Sequence, residues 1–194
     1  MKRRSIIMLM LLCLPVIIFS LTGEDCFGQP KKEVKFLAKE PALITSAGQS
    51  ADIQMVKVLM DKNKIAQQFS PRGGIEDLQK AKSLIIVIGG STKGMGAAGI
   101  DADKEASRIQ KLLAKAKELK VPVIGIHVGG KARRGDLSDR FINLVLPQAS
   151  YLIVVREGDS DEIFSKGASK YGIPITRVDR IADAQEPLKT IYGK

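Results

Sequence analysis

The sequence predicts an α/β fold: a single doubly wound, mostly parallel sheet of the Rossmann-like or flavodoxin-like kind, with helices on both faces. Three observations predict it. Short apolar runs alternate with helical patterns along most of the chain. One run, Leu84–Ile88, is a continuous β-branched stretch that suits a strand buried on both faces. The glycine-rich and polar loops all follow strands, where such sheets carry their crevices.

The first 28 residues read as a secretory signal peptide. Lys2, Arg3 and Arg4 precede an uncharged segment from Ser5 to Gly23, whose apolar part, Ile6 to Leu21, is short for a bilayer span and is interrupted by Pro15. Cys26 and Gly28 suit the small-residue positions of a cleavage site, which would make Gln29 the first mature residue. Export to the periplasm or the extracellular space is expected, or a membrane tether if the segment is retained. Residues 29–40 form a Lys-rich linker with an edge strand around Val34 to Leu37. Residues 41–194 form the one Rossmann-like domain.

Within that domain, Ala42 to Ser46 is a buried strand. Ser50 to Lys62 is a helix with Ile53, Val56, Leu59 and Met60 on one face. Ile65 to Phe69 is a short strand, and Leu84 to Ile88 belongs at the sheet centre. The next helix starts at Asp101, a good cap, and presents Ile109, Leu112, Leu113, Ala116 and Leu119 at helical spacing, with Asp103 and Glu105 favouring its positive end. Strand Val121 to Ile126 follows, then helix Leu137 to Leu146 stopped by Pro147, and strand Tyr151 to Val155. A helix capped by Ser160 runs to Tyr171, strand Pro174 to Val178 comes next, and helix Ile181 to Ile191 ends the chain. Strands joined by single helices imply parallel pairing with right-handed crossovers.

Composition narrows the chemistry. The 194 residues carry a formal charge of +10, with 31 Lys and Arg against 21 Asp and Glu, and the three basic and two acidic residues of the leader take it to +9. In an exported protein such a balance points to anionic ligands or an anionic cell surface. The basic residues are scattered along the chain and there is no Trp, so a nucleic-acid platform is not indicated. The only cysteines, Cys13 and Cys26, fall in the leader, so the mature chain offers no disulfide, no thiol nucleophile and no zinc cluster. No metal and no cofactor are expected.

Four loops share the carboxyl rim of the sheet: Ser46-Ala47-Gly48-Gln49-Ser50, Gly89 to Gly96, His127 to Arg134, and Arg156 to Asp159. Glycines let backbone N–H groups approach a ligand, and helix N-termini add positive dipole ends. The expected ligand is therefore a small carboxylate or phosphate. Its contacts would come from Ser46, Gly48, Gln49 and Ser50; from Gly90, Ser91, Thr92 and Lys93; and from His127, Gly129, Gly130, Arg133 and Arg134. Such a binding module could serve a membrane transporter or sensor.

An alternative is a hydrolase or transferase acting on an anionic substrate. His127, the single histidine, is a weak catalytic candidate, with Ser46 or Ser91 as nucleophile and Asp159 as its orienter, though no G-x-S-x-G elbow supports them. A second alternative is a protein-interaction domain without ligand. Gly94-Met95-Gly96-Ala97-Ala98-Gly99 spells G-x-G-x-x-G but begins too far after its strand for a dinucleotide turn.

The segments Pro41 to Asp52, Gly89 to Asp103 and His127 to Gly135 together resemble an uncharacterised bacterial family of exported Rossmann-like domains, a domain of unknown function. The resemblance spans nearly all of Pro41 to Leu188. It implies an exported α/β domain and carries no catalytic residues with it.

Overall fold

The computed structural model describes residues 36–194. Six parallel strands form one sheet: β1 (Ala42–Ala47), β2 (Gln67–Phe69), β3 (Ser83–Ile88), β4 (Val123–His127), β5 (Tyr151–Val155) and β6 (Ile175–Val178), in the order β2-β1-β3-β4-β5-β6. This is the flavodoxin-like order with one further strand. β3 lies between β1 and β4, and every residue of β1, β3, β4 and β5 is buried. That is why these strands read as unbroken apolar runs rather than as alternating ones.

Strand alternation divides the core into two layers. Leu43, Leu84, Ile86, Ile88 and Val154 face one side, packed against α2 (Ile75–Leu78), α3 (Thr92–Ala97), α4 (Ala102–Glu118), α5 (Asp136–Val145) and α6 (Ile163–Tyr171). Ile44, Ile85, Val87, Ile126 and Ile153 face the other, packed against α1 (Asp52–Lys62) and α7 (Gln185–Ile191).

Most of the expected elements are present; the short helix α2 is an addition to them, and the other differences are these. Val34 and Lys35 of the expected edge strand lie outside the described residues. Phe36 and Leu37 make no strand; Phe36 stacks on Tyr151 with ring centroids 5.6 Å apart, and Ala38 N–H donates to Ile191 O at 2.7 Å. Gly89–Gly96 is not all loop, because Ser91 caps a short helix, α3. α6 starts at Ile163 rather than at a Ser160 cap: Glu162 holds the N-cap position without a side-chain bond, and the first-turn N–H groups are taken by the Asp159 carboxylate, from Phe164 N at 2.8 Å and Ser165 N at 3.2 Å, whereas Ser160 is exposed. A charged acceptor holding two N–H groups outcompetes a hydroxyl. The residues before α7, Ile181–Ala184, form a 3₁₀ turn rather than the start of one long helix.

The expected leader and its expected cleavage site lie outside the described residues. Among the described ones no helix is long and apolar enough to cross a membrane.

Candidate functional site

The strand order reverses between β1 and β3, so the loops after these two strands border the switch point. They are joined to each other. Gly89 N–H donates to Ala47 O at 2.9 Å, Ser91 N–H donates to Gly48 O at 2.8 Å, and Gln49 pairs with Gly90 as an antiparallel bridge. The glycines serve this seam. Gly48 has φ +102°, and a Cβ there would fall 2.5 Å from Gly89 O; one on Gly94 would fall 2.0 Å from Gln49 O. No L side chain fits at such distances.

The seam is anchored from below by Glu105 and Arg108, which the loop-by-loop reading of the sequence missed. Glu105, in the first turn of α4, is fully buried and accepts from Gly48 N at 3.0 Å and Gln49 Nε2 at 2.9 Å. Arg108, one turn on, donates to both Glu105 oxygens at 2.8–2.9 Å, to Thr45 Oγ1 at 3.1 Å, to Gly73 O at 2.7 Å, and to Ser46 O. Burial pushes the Glu105 carboxyl up, but the guanidinium and the two amide donors outweigh it and hold it below the ordinary carboxylate range. A signal was present in the sequence. Glu105 lies four residues before Ile109 on the apolar stripe of α4, so a carboxylate occupies a core position and needs a buried partner.

His127, at the end of β4, is completely buried. Its Nδ1 lies 2.9 Å from Ile88 O and its Nε2 lies 3.3 Å from Gly130 O, while the ring packs on Phe164 at 5.1 Å. Burial holds its pKa below the ordinary imidazole value, and the charge of Arg134 adds to this. A neutral ring has one N–H, and the shorter distance assigns it to Nδ1 donating to Ile88 O. His127 thus ties the β4 loop to the end of β3.

Neither serine of the hydrolase alternative is bonded to His127. Ser46 is fully buried, its Oγ without a hydrogen-bond partner, and Ser91 Oγ accepts from Gly94 N at 3.0 Å. The Asp159 carboxylate holds the first turn of α6. Neither ring nitrogen of His127 bonds a serine hydroxyl, and Asp159 does not orient the ring.

The remaining rim residues divide into tied and free. Ser50 Oγ accepts from Asp52 N at 3.1 Å, and Gly90 N donates to Ser138 Oγ at 2.9 Å. Arg134 is tied: it donates to Asp139 at 2.9 Å, to Asp161 through both terminal nitrogens at 2.8 Å, and to Gly158 O at 2.6 Å, with its guanidinium 5.9 Å over the Phe164 ring. The Arg134 hydrogen bonds pull the Asp161 carboxyl down to about 2.

Arg133 is held less firmly. Its Nε lies 3.4 Å from Asp52 Oδ2, close enough to pair charges, yet that buried oxygen has no hydrogen bond. Gly129 lies beneath this pair, where a Cβ would fall 2.0 Å from Arg133 Cγ. Gly130 is buried with φ +57°. Thr92, Lys93 and Lys131 are exposed, and among the described residues neither lysine has an ion-pair partner.

Among solved structures, the chain is similar to a GDSL-like lipase from Bacteroides thetaiotaomicron, with 13% identity over 70% of this chain and 66% of that one and a TM-score of 0.35. It is also similar to AlinE4, an SGNH-hydrolase family esterase, with 12% identity over 75% of this chain and 79% of that one and a TM-score of 0.29. Likenesses this slight assign no residue and no activity. No curated protein matches the chain in sequence. Residues 39–192, however, match one family along their whole length, and the chain belongs to it: the family described as a domain of unknown function, DUF6305.

Proposed function

We propose that this domain is a binding module rather than an enzyme, and that it holds a small carboxylate or phosphate over the seam between the β1 and β3 loops. Lys93 and Thr92 would reach the anion from the α3 side, and Arg133 and Lys131 from the α1 side. The observation that carries this reading is how the rim's polar groups are used. Ser91, His127 and Asp159 are engaged in holding loops, while the exposed Lys93 and Lys131 have no ion-pair partner among the described residues and Arg133 is held only by Asp52. A rigid frame with cations at its edge suits recognition of an anion, since little ordering is needed on binding.

Catalysis by His127 is opposed by its burial, by the carbonyls facing both ring nitrogens, and by a pKa held below the usual value. The leader-like first 28 residues fit an exported module, and service to a membrane transporter or sensor is part of the same proposal.

The test is calorimetric titration of the chain with citrate and with inorganic phosphate at low salt. Saturable binding that weakens about tenfold in both Lys93→Ala and Arg133→Ala supports the reading, as expected for loss of one charge-assisted hydrogen bond. Heat from neither anion, or equal affinity in the variants, would overturn it. Hydrolysis of a p-nitrophenyl ester that is abolished in His127→Gln would restore the enzyme alternative.

A further inference from the structure

In a parallel sheet wrapped by helices, each helix that leads into a strand runs antiparallel to it, so the C-termini of α1, α2, α4 and α6 lie at the pole where the strands begin. Lysines scattered along the sequence meet there. Lys62 ends α1 and Lys64 follows it, Lys80 and Lys82 precede β3, and Lys117 and Lys120 bracket the end of α4; all six are exposed and none has a carboxylate within 4 Å among the described residues. Lys170 ends α6 on the same pole, and Lys39 precedes β1. The acids of this pole, Glu40, Asp61 and Glu118, are each paired with a lysine of their own, Lys194, Lys57 and Lys115.

Complementing the helix dipoles accounts for lysines within a last helical turn. It does not account for Lys39, Lys64 or Lys82, which lie in the loops beyond. At two of these turns, moreover, Lys64 and Lys120 adopt left-handed φ values of 54° and 56°, where glycine is the residue at ease.

A second, independent feature occupies the same pole. Leu37, Leu119 and Tyr171 are 66%, 41% and 44% exposed; Leu119 and Tyr171 adjoin Lys120 and Lys170 where α4 and α6 end, and Leu37 lies two residues before Lys39 in the segment that leads into β1. A cleft of about 500 Å³ opens here between the end of α4 and the 146–150 turn, lined by Lys117, Lys120 and Ser150. Exposed apolar side chains interleaved with lysines match the chemistry of a lipid interface, where the apolar groups enter the headgroup boundary and the ammonium groups lie over phosphates. A nucleic acid would instead be met by arginines and stacking aromatics. Ala38, bonded to the end of α7, lies at this pole too.

We infer that this lysine-rich pole is a membrane-facing surface that docks on an anionic bilayer, leaving the carboxyl rim turned away and open. The surface is distinct from the rim and stands whether or not the rim binds an anion.

The experiment measures lysine acetylation by mass spectrometry on the full chain mixed with phosphatidylcholine vesicles, with and without phosphatidylglycerol. An N-terminal segment inserted in the bilayer would hold the chain on both vesicle types, so the difference between them reads the pole. On the anionic vesicles Lys64, Lys117 and Lys120 should react at least about threefold more slowly, reverting at high salt, while Lys93 and Lys131 keep their rates. Equal rates on the two vesicle types, or slowing at Lys93 and Lys131 instead, would overturn the inference. So would stronger protection of the pole by a short DNA duplex than by vesicles.

The combined variant Lys117→Gln, Lys120→Gln and Lys170→Gln should partition roughly 100-fold less onto anionic vesicles, each lysine near the surface being worth about fivefold. Lys120→Gly separates binding from folding: it should bind about fivefold more weakly while its unfolding midpoint stays level or rises. Unchanged binding in both variants would also overturn the proposal.

Discussion

Glu105 is the residue on which the rim depends most. It is a carboxylate with no exposed surface whose partners are a guanidinium, a backbone N–H and an amide, and its loss strands the Arg108 charge beneath the β1 loop. Glu105→Ala should therefore cost about 3 kcal/mol, the scale for breaking a buried pair from one side, read by urea unfolding at neutral pH. Gly94→Ala should cost about 2 kcal/mol by the same measurement, because its Cβ would meet the Gln49 carbonyl and the α3 turn would have to move.

His127 sets a pH dependence. Its folded pKa is lowered, so the unfolded chain takes up the proton first, and the stability it contributes above about pH 6.5 declines as the pH falls below that value. The lowered Glu105 extends the decline into the carboxylate range. Urea midpoints should fall between pH 7 and pH 5, and His127→Gln should flatten that interval. Asp52→Asn, which removes the competitor for Arg133, should tighten anion binding by about fivefold. At this scale the sequence was only partly legible. His127, Ser91 and Asp159 are polar residues beside glycines whether they hold a loop or a ligand, and only their partners distinguish the two.

Elements were more legible than residues, for reasons that differ between them. β3 and β5 carry unbroken apolar runs, and α4 pairs an Asp101 cap with a long apolar stripe, so local and tertiary preferences agree. α3 did not announce itself, because Gly94 and Gly96 within a six-residue segment give poor helix propensity; it forms because Ser91 caps it and Met95 buries on the sheet. α6 starts later than the Ser160 cap implies because Asp159, at the end of a 3₁₀ turn, reaches forward to the N–H groups of Phe164 and Ser165, which fixes the first helical turn at Ile163. At the end of α4, Lys120→Gly should raise stability by about 1 kcal/mol, since the left-handed turn no longer strains a side chain. A fall in the thermal midpoint would contradict this.

Across the whole molecule, a parallel sheet gives the domain two unlike poles. The carboxyl pole gathers helix N-termini, glycine seams and Arg–Asp pairs; the amino pole gathers helix C-termini and unpaired lysines. A one-dimensional reading sees scattered basic residues, because each lysine is separated from the next cluster by a full strand–helix unit, and only the crossovers bring them together. The proposed role of the carboxyl pole is to hold a small anion over the β1–β3 seam. Its most direct test is a backbone amide NMR titration of the chain with citrate. Saturable shifts confined to Gly48, Gly90, Thr92, Lys93, Lys131 and Arg133 are the result expected. Shifts confined to the Lys117–Lys120 end of α4, or none at any concentration, would contradict it.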